Sequence, residues 1–131
     1  MERDLVLKKS LIEMLNRGKG VPGGACGFWG ACGAGISPGM FVSIISSSTP
    51  LSVEPFALSH KMTAKSLNAI GDIGGPRCCT RDSYLSILSA IDVVEEHFDI
   101  RMDKSVIICQ HGSQNNQCIG QHCPFSKANH R

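Results

Sequence analysis

The chain has 131 residues, of which 42% are hydrophobic, which suits a single domain with a modest core and argues against wholesale disorder. Thirteen basic residues against eleven acidic ones leave a net charge of +2, which gives no indication of a polyanionic partner. Aromatic residues make up 5%, too few for a nucleic-acid platform of stacked rings, and no apolar run is long enough to span a bilayer. The charged N-terminus lacks the apolar segment of a signal peptide, so we expect a cytoplasmic protein.

Apolar residues at helical spacing predict four helices, in residues 3–17, 37–46, 55–73 and 80–98. Ser37 is expected to cap the second helix, with Pro38 in its first turn, although the β-branched residues there also allow a strand. Thr80 is expected to cap the last and most regular helix, and Asp82 in its first turn suits the helix dipole.

We therefore expect a mainly α fold, a small helical domain of about four helices that occupies residues 1–131 as one unit. Glycine-rich loops between the helices carry cysteines, and from about residue 105 the chain continues as an irregular cysteine-rich tail. Residues 105–109 are expected to form a short strand or an extended entry into that tail.

Seven cysteines dominate the chemistry of the chain. They fall into three groups, namely Cys26 with Cys32, Cys78 with Cys79, and Cys109 with Cys118 and Cys123. An odd number in a chain without signs of secretion argues against a disulfide framework. In a reducing cytoplasm, clustered cysteines more often bind metal or perform thiol chemistry, although some can be buried as small hydrophobes.

The first group lies in a glycine-rich segment, residues 20–39, whose backbone can wrap closely around a ligand. Five residues separate Cys26 from Cys32, unlike the two to four of a zinc knuckle. The segment also lacks the Lys-Ser/Thr ending of a phosphate-binding loop, and no strand is predicted before it. A sulfur-bound cluster fits this loop better than zinc or a nucleotide.

The second group, Cys78-Cys79, follows a Gly-Gly-Pro turn and precedes a predicted helix, so both sulfurs are expected near an electropositive helix N-terminus. Arg77 and Arg81 flank this pair. The two arginines are either surface charges, salt-bridge partners, or an anion clamp for a substrate carboxylate or phosphate.

The third group ends in Cys123-Pro124, a pair that also closes ferredoxin cluster motifs, although the cysteine spacings match no ferredoxin and no zinc finger. His111 and His122 lie in the same tail. They are either metal ligands or solvent-exposed residues, and solvent exposure is the expectation.

Thiolates dispersed over several turns near helix starts favour an iron–sulfur cluster, a [4Fe–4S] centre, over zinc, and zinc over thiol redox chemistry. All seven cysteines are candidate ligands. With three ligands, one iron stays open for Lewis-acid or sulfur-transfer chemistry, whereas with four the domain transfers electrons or is held together by the cluster. Ligand counting does not choose between these cases, but the arginines beside Cys78-Cys79 favour an enzyme or sulfur-handling role over plain electron transfer.

Two other kinds of function fit the same residues. One is an accessory or binding module that zinc or a cluster holds together. The other is a thiol redox protein that uses Cys78-Cys79 as a vicinal disulfide. The expected partners are a small anionic substrate or another protein, without nucleic acid or membrane, and a chain this short can also form a homodimer.

Four segments together resemble an uncharacterised cysteine-rich domain family, and they are residues 26–35, 48–52, 74–79 and 118–124. The resemblance covers the chain from about Gly20 to Phe125. It implies a self-contained domain of anaerobic metabolism, found in archaea and anaerobic bacteria alone or attached to methyltransferase-like or radical-enzyme domains. A second, shorter similarity joins residues 30–33, Gly-Ala-Cys-Gly, to the iron–sulfur serine dehydratases.

Overall fold

A computed structural model describes the backbone of residues 2–129 and the side chains of residues 4–129. Its helices are α1 (Glu2–Gly18), α2 (Ala25–Phe28), α3 (Gly33–Ile45), α4 (Glu54–Ile73) and α5 (Cys79–Phe98). Three single 3-10 turns follow, at Gly112–Gln114, Gly120–His122 and Lys127–Asn129. Residues 2–129 contain no strand, so the expected mainly α domain is confirmed and a strand in residues 37–46 or 105–109 is wrong.

The central helix is α3, which packs against α1, α4 and α5, while α4 also packs against α5. One cluster of buried apolar side chains joins Val42 of α3, Met62 of α4 and Val93 of α5. Full burial of an aliphatic side chain stabilises a fold by roughly 1.5–3 kcal/mol, so this trio holds the three helices together. None of the helices in the described part of the chain has the length and apolarity needed to cross a membrane.

Helices α3 and α4 approach closely because α3 presents glycine where α4 presents side chains. A Cβ atom at Gly39 would overlap the hydroxyl oxygen of Thr63 and lie 3.1 Å from the carbonyl oxygen of Ser59. A Cβ atom at Gly35 would collide with the α4 side chain opposite it. The buried hydroxyl of Ser66 on α4 also donates a hydrogen bond to the Gly35 carbonyl. The glycines therefore allow the backbones to pack at short range.

The predicted start of α3 at Ser37 is wrong, because the helix begins four residues earlier. Cys32 occupies the N-cap position in an extended conformation, with φ −63° and ψ 133°. Ser37 lies inside the helix and donates its hydroxyl to the carbonyl of Gly33 at 2.7 Å. Pro38 lacks one backbone donor but does not end the helix. Close packing of the glycines against α4 outweighs their low helix propensity.

The predicted cap at Thr80 is also wrong. Helix α5 begins at Cys79, and Cys78 occupies the N-cap position in an extended conformation, with φ −138° and ψ 103°. Thr80 is the second residue of the helix. Side-chain oxygens are the usual N-caps, whereas here a sulfur accepts the hydrogen bond from the helix.

Contacts near both ends of the C-terminal tail, residues 99–129, attach it to α5. Near its start, the ammonium group of Lys104 pairs with the carboxylate of Asp92 on α5. Near its end, the buried ring of Phe125 packs edge-on against Tyr84 of α5, with centroids 5.3 Å apart and planes at 76°. The backbone N–H of Cys109 donates to the Phe125 carbonyl at 2.7 Å, so both halves of the tail meet beside α5.

Candidate functional site

A cavity of about 1020 Å³ lies between the beginning of α5 and the C-terminal tail. Five of the seven cysteines line it, and they are Cys78, Cys79, Cys109, Cys118 and Cys123. The structure thus brings together the second and third cysteine groups of the sequence. We call this space the cysteine cavity.

The turn before α5 carries the first two of these cysteines to the wall of the cavity. Gly74 ends α4 with φ 82°, a left-handed conformation that favours glycine, and the chain then turns through a cis Gly75-Pro76 bond. The sulfur of Cys78 accepts the backbone N–H of Arg81 at 3.4 Å. Cys79 is solvent-exposed, and no such bond reaches its sulfur within the described residues. The two adjacent thiols therefore have different surroundings.

Two cysteines of the tail also accept a backbone N–H at sulfur, from the residue two positions on, whereas the donor to Cys78 lies three positions on. The sulfur of Cys109 accepts the N–H of His111 at 3.4 Å, and the sulfur of Cys118 accepts the N–H of Gly120 at 3.4 Å. Gly112 lies beside Cys118, because a Cβ atom built on it would be 3.4 Å from that sulfur. Three sulfurs from three separate turns thus face the cavity with a backbone donor behind each.

Cys123 is the buried cysteine among the five that line the cavity. Its N–H donates to the Gly120 carbonyl at 2.9 Å. Its own carbonyl accepts the side-chain amide of Asn129 at 2.8 Å. Hydrogen bonds to residues before and after it therefore fix the backbone of Cys123.

A side-chain contact also joins the tail to the turn before α5. The amide nitrogen of Asn115 lies 3.8 Å from the sulfur of Cys78 and donates to it. The amide oxygen of the same residue accepts the N–H of Gln117 at 2.9 Å, which fixes the orientation of the amide. Asn115 was not predicted as a site residue, because its role depends on folding the tail against α5.

The lining of the cavity has a one-sided charge. Arg77, Arg81 and Lys127 contribute to it, whereas none of the described lining residues is Asp or Glu. Arg77 and Lys127 are exposed to solvent. Such a lining favours an anionic ligand, including a thiolate-bound cluster, over a cationic one.

Arg81 has a structural environment that its neighbour Arg77 lacks. Only 3% of Arg81 is exposed, and its Nη2 atom donates to the carbonyls of Gly74 at 2.8 Å and Pro76 at 3.0 Å. Its Nε atom lies 3.7 Å from the Oδ1 atom of Asp82. Arg81 therefore stabilises the turn that forms one wall of the cavity. The role of Arg77 and Arg81 as an anion clamp stays a prediction.

The first cysteine group lies outside the cysteine cavity. Cys26 is half-buried in α2, and Cys32 precedes α3. The thiol of Cys32 donates to the Oδ2 atom of Asp82 at 3.5 Å, which links the glycine-rich loop to α5. Burial raises the pKa of Cys32 above its ordinary value, and the Asp82 carboxylate adds to this effect. Asp82 was predicted only as a helix-dipole residue, and no local pattern shows that it faces a thiol 50 positions away.

The spacing of the thiol, imidazole and carboxylate groups determines whether a metal ion can bind among them. Among the side chains of residues 4–129, no three Cys, His, Asp or Glu are grouped so that they could hold one metal ion. His111 and His122 are both exposed, as expected, and only His111 lines the cavity. Five thiols line one cavity, however, and three of them accept backbone N–H bonds. Thiolates are the donor type that holds iron–sulfur clusters.

Comparison with known proteins assigns a family but no activity. Residues 2–126 match DUF5714, a family of unknown function. No curated protein and no solved structure matches the chain.

Proposed function

We propose, from the premise that this chain belongs to the DUF5714 family, that it binds an iron–sulfur cluster in the cysteine cavity. The single observation that carries the proposal is the set of N–H bonds to sulfur at Cys78, Cys109 and Cys118. Hydrogen bonds to the sulfurs are one of the means by which proteins stabilise a thiolate-bound cluster and set its potential. The three bonds come from residues two or three positions further along the chain, and all three sulfurs line one cavity.

The same observation supports different roles for the individual cysteines. Cys78, Cys109 and Cys118 would be the first three ligands, and Cys79 or Cys123 would supply a fourth where one is used. Cys26 and Cys32 have no place in this ligand set, because they lie outside the cavity. A bound cluster would supply an electron acceptor or, with three ligands, an open iron for Lewis-acid or sulfur-transfer chemistry.

The cavity also supports a small anionic substrate. Its volume of about 1020 Å³ is at the upper end of the range for small-molecule sites, so an eight-atom cluster leaves space beside it. Arg77 is the exposed cation next to Cys78, and Lys127 is a second exposed cation of the lining. A carboxylate or phosphate group of a substrate would bind to Arg77, while Arg81 keeps the wall in place.

The exposed thiols of Cys79 and Cys118 fit a reducing cytoplasm. An accessible cluster of this kind also fits the anaerobic metabolism that the family resemblance implies. A protein partner or a second copy of the chain could cover the open side of the cavity.

A second candidate function is a structural staple without catalysis. It is favoured by the tail, which has only short 3-10 turns of regular structure and contributes three of the five cavity cysteines. A zinc ion or a cluster that joins Cys78 to the tail would stabilise the tail directly. In that case chelation unfolds the tail, and no small anion changes the spectrum of the metal.

Anaerobic purification followed by analysis of iron, acid-labile sulfide and zinc tests the proposal. The expected result is iron and sulfide in equal amounts, with a visible charge-transfer spectrum. Titration with small carboxylates and phosphates then separates an open iron, whose spectrum changes, from a closed cluster. Stoichiometric zinc without iron would contradict the proposal and favour the staple.

A further inference from the structure

A chain of four polar groups runs behind the wall of the cysteine cavity. The Cys32 thiol donates to Asp82, the Asp82 carboxylate pairs with the Arg81 guanidinium, and the guanidinium binds the turn that precedes Cys78. The chain starts at Cys32, the residue before α3, and ends at the carbonyls of Gly74 and Pro76, in the turn before Cys78. It therefore connects the cysteine group outside the cavity to the turn that carries a thiol of the cavity.

Arg81 controls the position of Cys78 in two ways. Its side chain donates to the carbonyls of Gly74 and Pro76, which fixes the turn on the N-terminal side of Cys78. Its backbone N–H donates to the sulfur of Cys78 at 3.4 Å. Displacement of the guanidinium would release the turn and leave the thiol held by its cap bond and by Asn115 alone.

Asp82 is the charge that keeps the guanidinium in place. Arg81 and Asp82 are both buried, with exposed fractions of 3% and 4%. The Nε atom of Arg81 and the Oδ1 atom of Asp82 have no hydrogen-bond partner within the described residues, so these two atoms are compensated by each other across 3.7 Å. A buried charge that loses its partner is strongly destabilised.

Cys32 completes the chain, because it donates to the other oxygen of Asp82. The Oδ2 atom accepts the Cys32 thiol at 3.5 Å, which leaves Oδ1 directed at Arg81. A hydrogen bond that binds one carboxylate oxygen limits rotation of the carboxylate group. The orientation of Asp82, and through it that of Arg81, thus depends on a donor at position 32.

We propose that Cys32 and Asp82 are positioning residues for the cysteine cavity, which hold the sulfur of Cys78 in place through Arg81. The inference rests on the proposed function only in so far as Cys78 is treated as a cluster ligand. The position and protection of Cys78 are properties of the metal-free protein as well. Cys32 then serves the site as a hydrogen-bond donor and does not bind metal.

The test measures the rate at which Cys78 is alkylated in the native, metal-free protein. All variants also carry Cys79→Ser, so that Cys78 is the one thiol of the Cys78-Cys79 pair that can be labelled. Cys118 in the same molecules is the internal reference. Cys32→Ser keeps a donor at position 32, and Cys32→Ala removes it. We expect Cys32→Ala to raise the alkylation rate of Cys78 relative to Cys118 about fivefold. This corresponds to a decrease of about 1 kcal/mol in the free energy of local opening around Cys78. Cys32→Ser should remain close to the parent protein.

Equal Cys78 rates in the Ser and Ala variants would overturn the proposal, as would a parallel rise of Cys78 and Cys118. Asp82→Asn provides a second arm, since it keeps the shape of the side chain and removes its charge, and it should raise the Cys78 rate at least as much as Cys32→Ala. Iron analysis of the same variants reports separately on the proposed function. A chain that never binds iron but shows the predicted alkylation pattern would refute the cluster and retain the positioning role.

Discussion

The sulfur of Cys78 and the buried guanidinium of Arg81 belong to one local structure, in which Arg81 binds the turn before Cys78 and gives its backbone N–H to the sulfur at 3.4 Å. This relationship explains why two adjacent cysteines at the start of one helix can have different roles. The sulfur of Cys78 accepts a hydrogen bond as the N-cap of α5, whereas Cys79 is the first residue of that helix and is exposed.

The two adjacent thiols should therefore differ as cluster ligands. Cys78→Ser is expected to reduce the iron bound per chain after anaerobic reconstitution by more than half, because it removes one of the three sulfurs that accept backbone N–H bonds. Cys79→Ser should retain more iron than Cys78→Ser. Iron and sulfide analysis of both variants checks this order, and the reverse order would show that the N–H bond does not mark the ligand.

Arg81 should contribute more to stability than any other cation of the cavity. Arg81→Met removes one partner of a buried ion pair and leaves Asp82 uncompensated, for which the expected loss is about 3–5 kcal/mol of unfolding free energy. Arg77→Met, at an exposed position one residue before the cysteine pair, should change it by less than about 0.5 kcal/mol. Urea unfolding of both metal-free variants measures the difference. Similar losses for the two would mean that the burial of Arg81 has no energetic consequence.

The contact between α3 and α4 should tolerate no side chain at Gly39. Gly39→Ala places a Cβ atom on the Thr63 hydroxyl and 3.1 Å from a backbone oxygen, and the expected cost is about 1–3 kcal/mol. Gly71→Ala is the matched control, because Gly71 also lies in a helix but a Cβ atom there meets nothing within 4 Å. That control should stabilise α4 by up to about 1 kcal/mol. Thermal unfolding of both variants compares the two, and a stabilising Gly39→Ala would contradict the close packing.

The stability of the protein should fall at alkaline pH, in part through Cys32. Burial and the Asp82 carboxylate raise the pKa of Cys32 in the folded protein above its ordinary value of 9.0. A raised pKa in the folded state contributes stability that is complete below the pKa of the unfolded chain and is lost as the pH rises through the folded value. The urea midpoint should thus decline above about pH 9 more steeply in the parent protein than in Cys32→Ser. Identical declines in the two proteins would show that Cys32 does not titrate in this way.

Helix positions were largely predictable from the sequence, because apolar residues recur in each helix with a period of 3.6 residues. Both predicted caps were wrong for a related reason. Ser37 and Thr80 are good caps by residue type, but the actual caps are cysteines whose positions depend on packing of α3 and α5. Propensity describes the isolated helix and does not include those contacts.

The candidate site was predictable only as a set of residues. Cys78 and Cys79 are adjacent in the sequence, but the sequence does not show which cysteine group lies beside the tail. That is decided by the packing of Phe125 in the tail against Tyr84 of α5. The separation of Cys32 from the cavity and its contact with Asp82 likewise follow from the helix packing. Long-range neighbours of this kind have no local signature in a single sequence.

The most direct test of the account is the iron and sulfide content of one triple variant, Cys78→Ser with Cys109→Ser and Cys118→Ser, after anaerobic reconstitution beside the parent protein. Cys26→Ser is the matched control, because its thiol lies outside the cysteine cavity. The account predicts stoichiometric iron and sulfide in the parent and in Cys26→Ser, and neither in the triple variant. A triple variant that keeps its iron, or a parent that binds none, would contradict a cluster in this cavity.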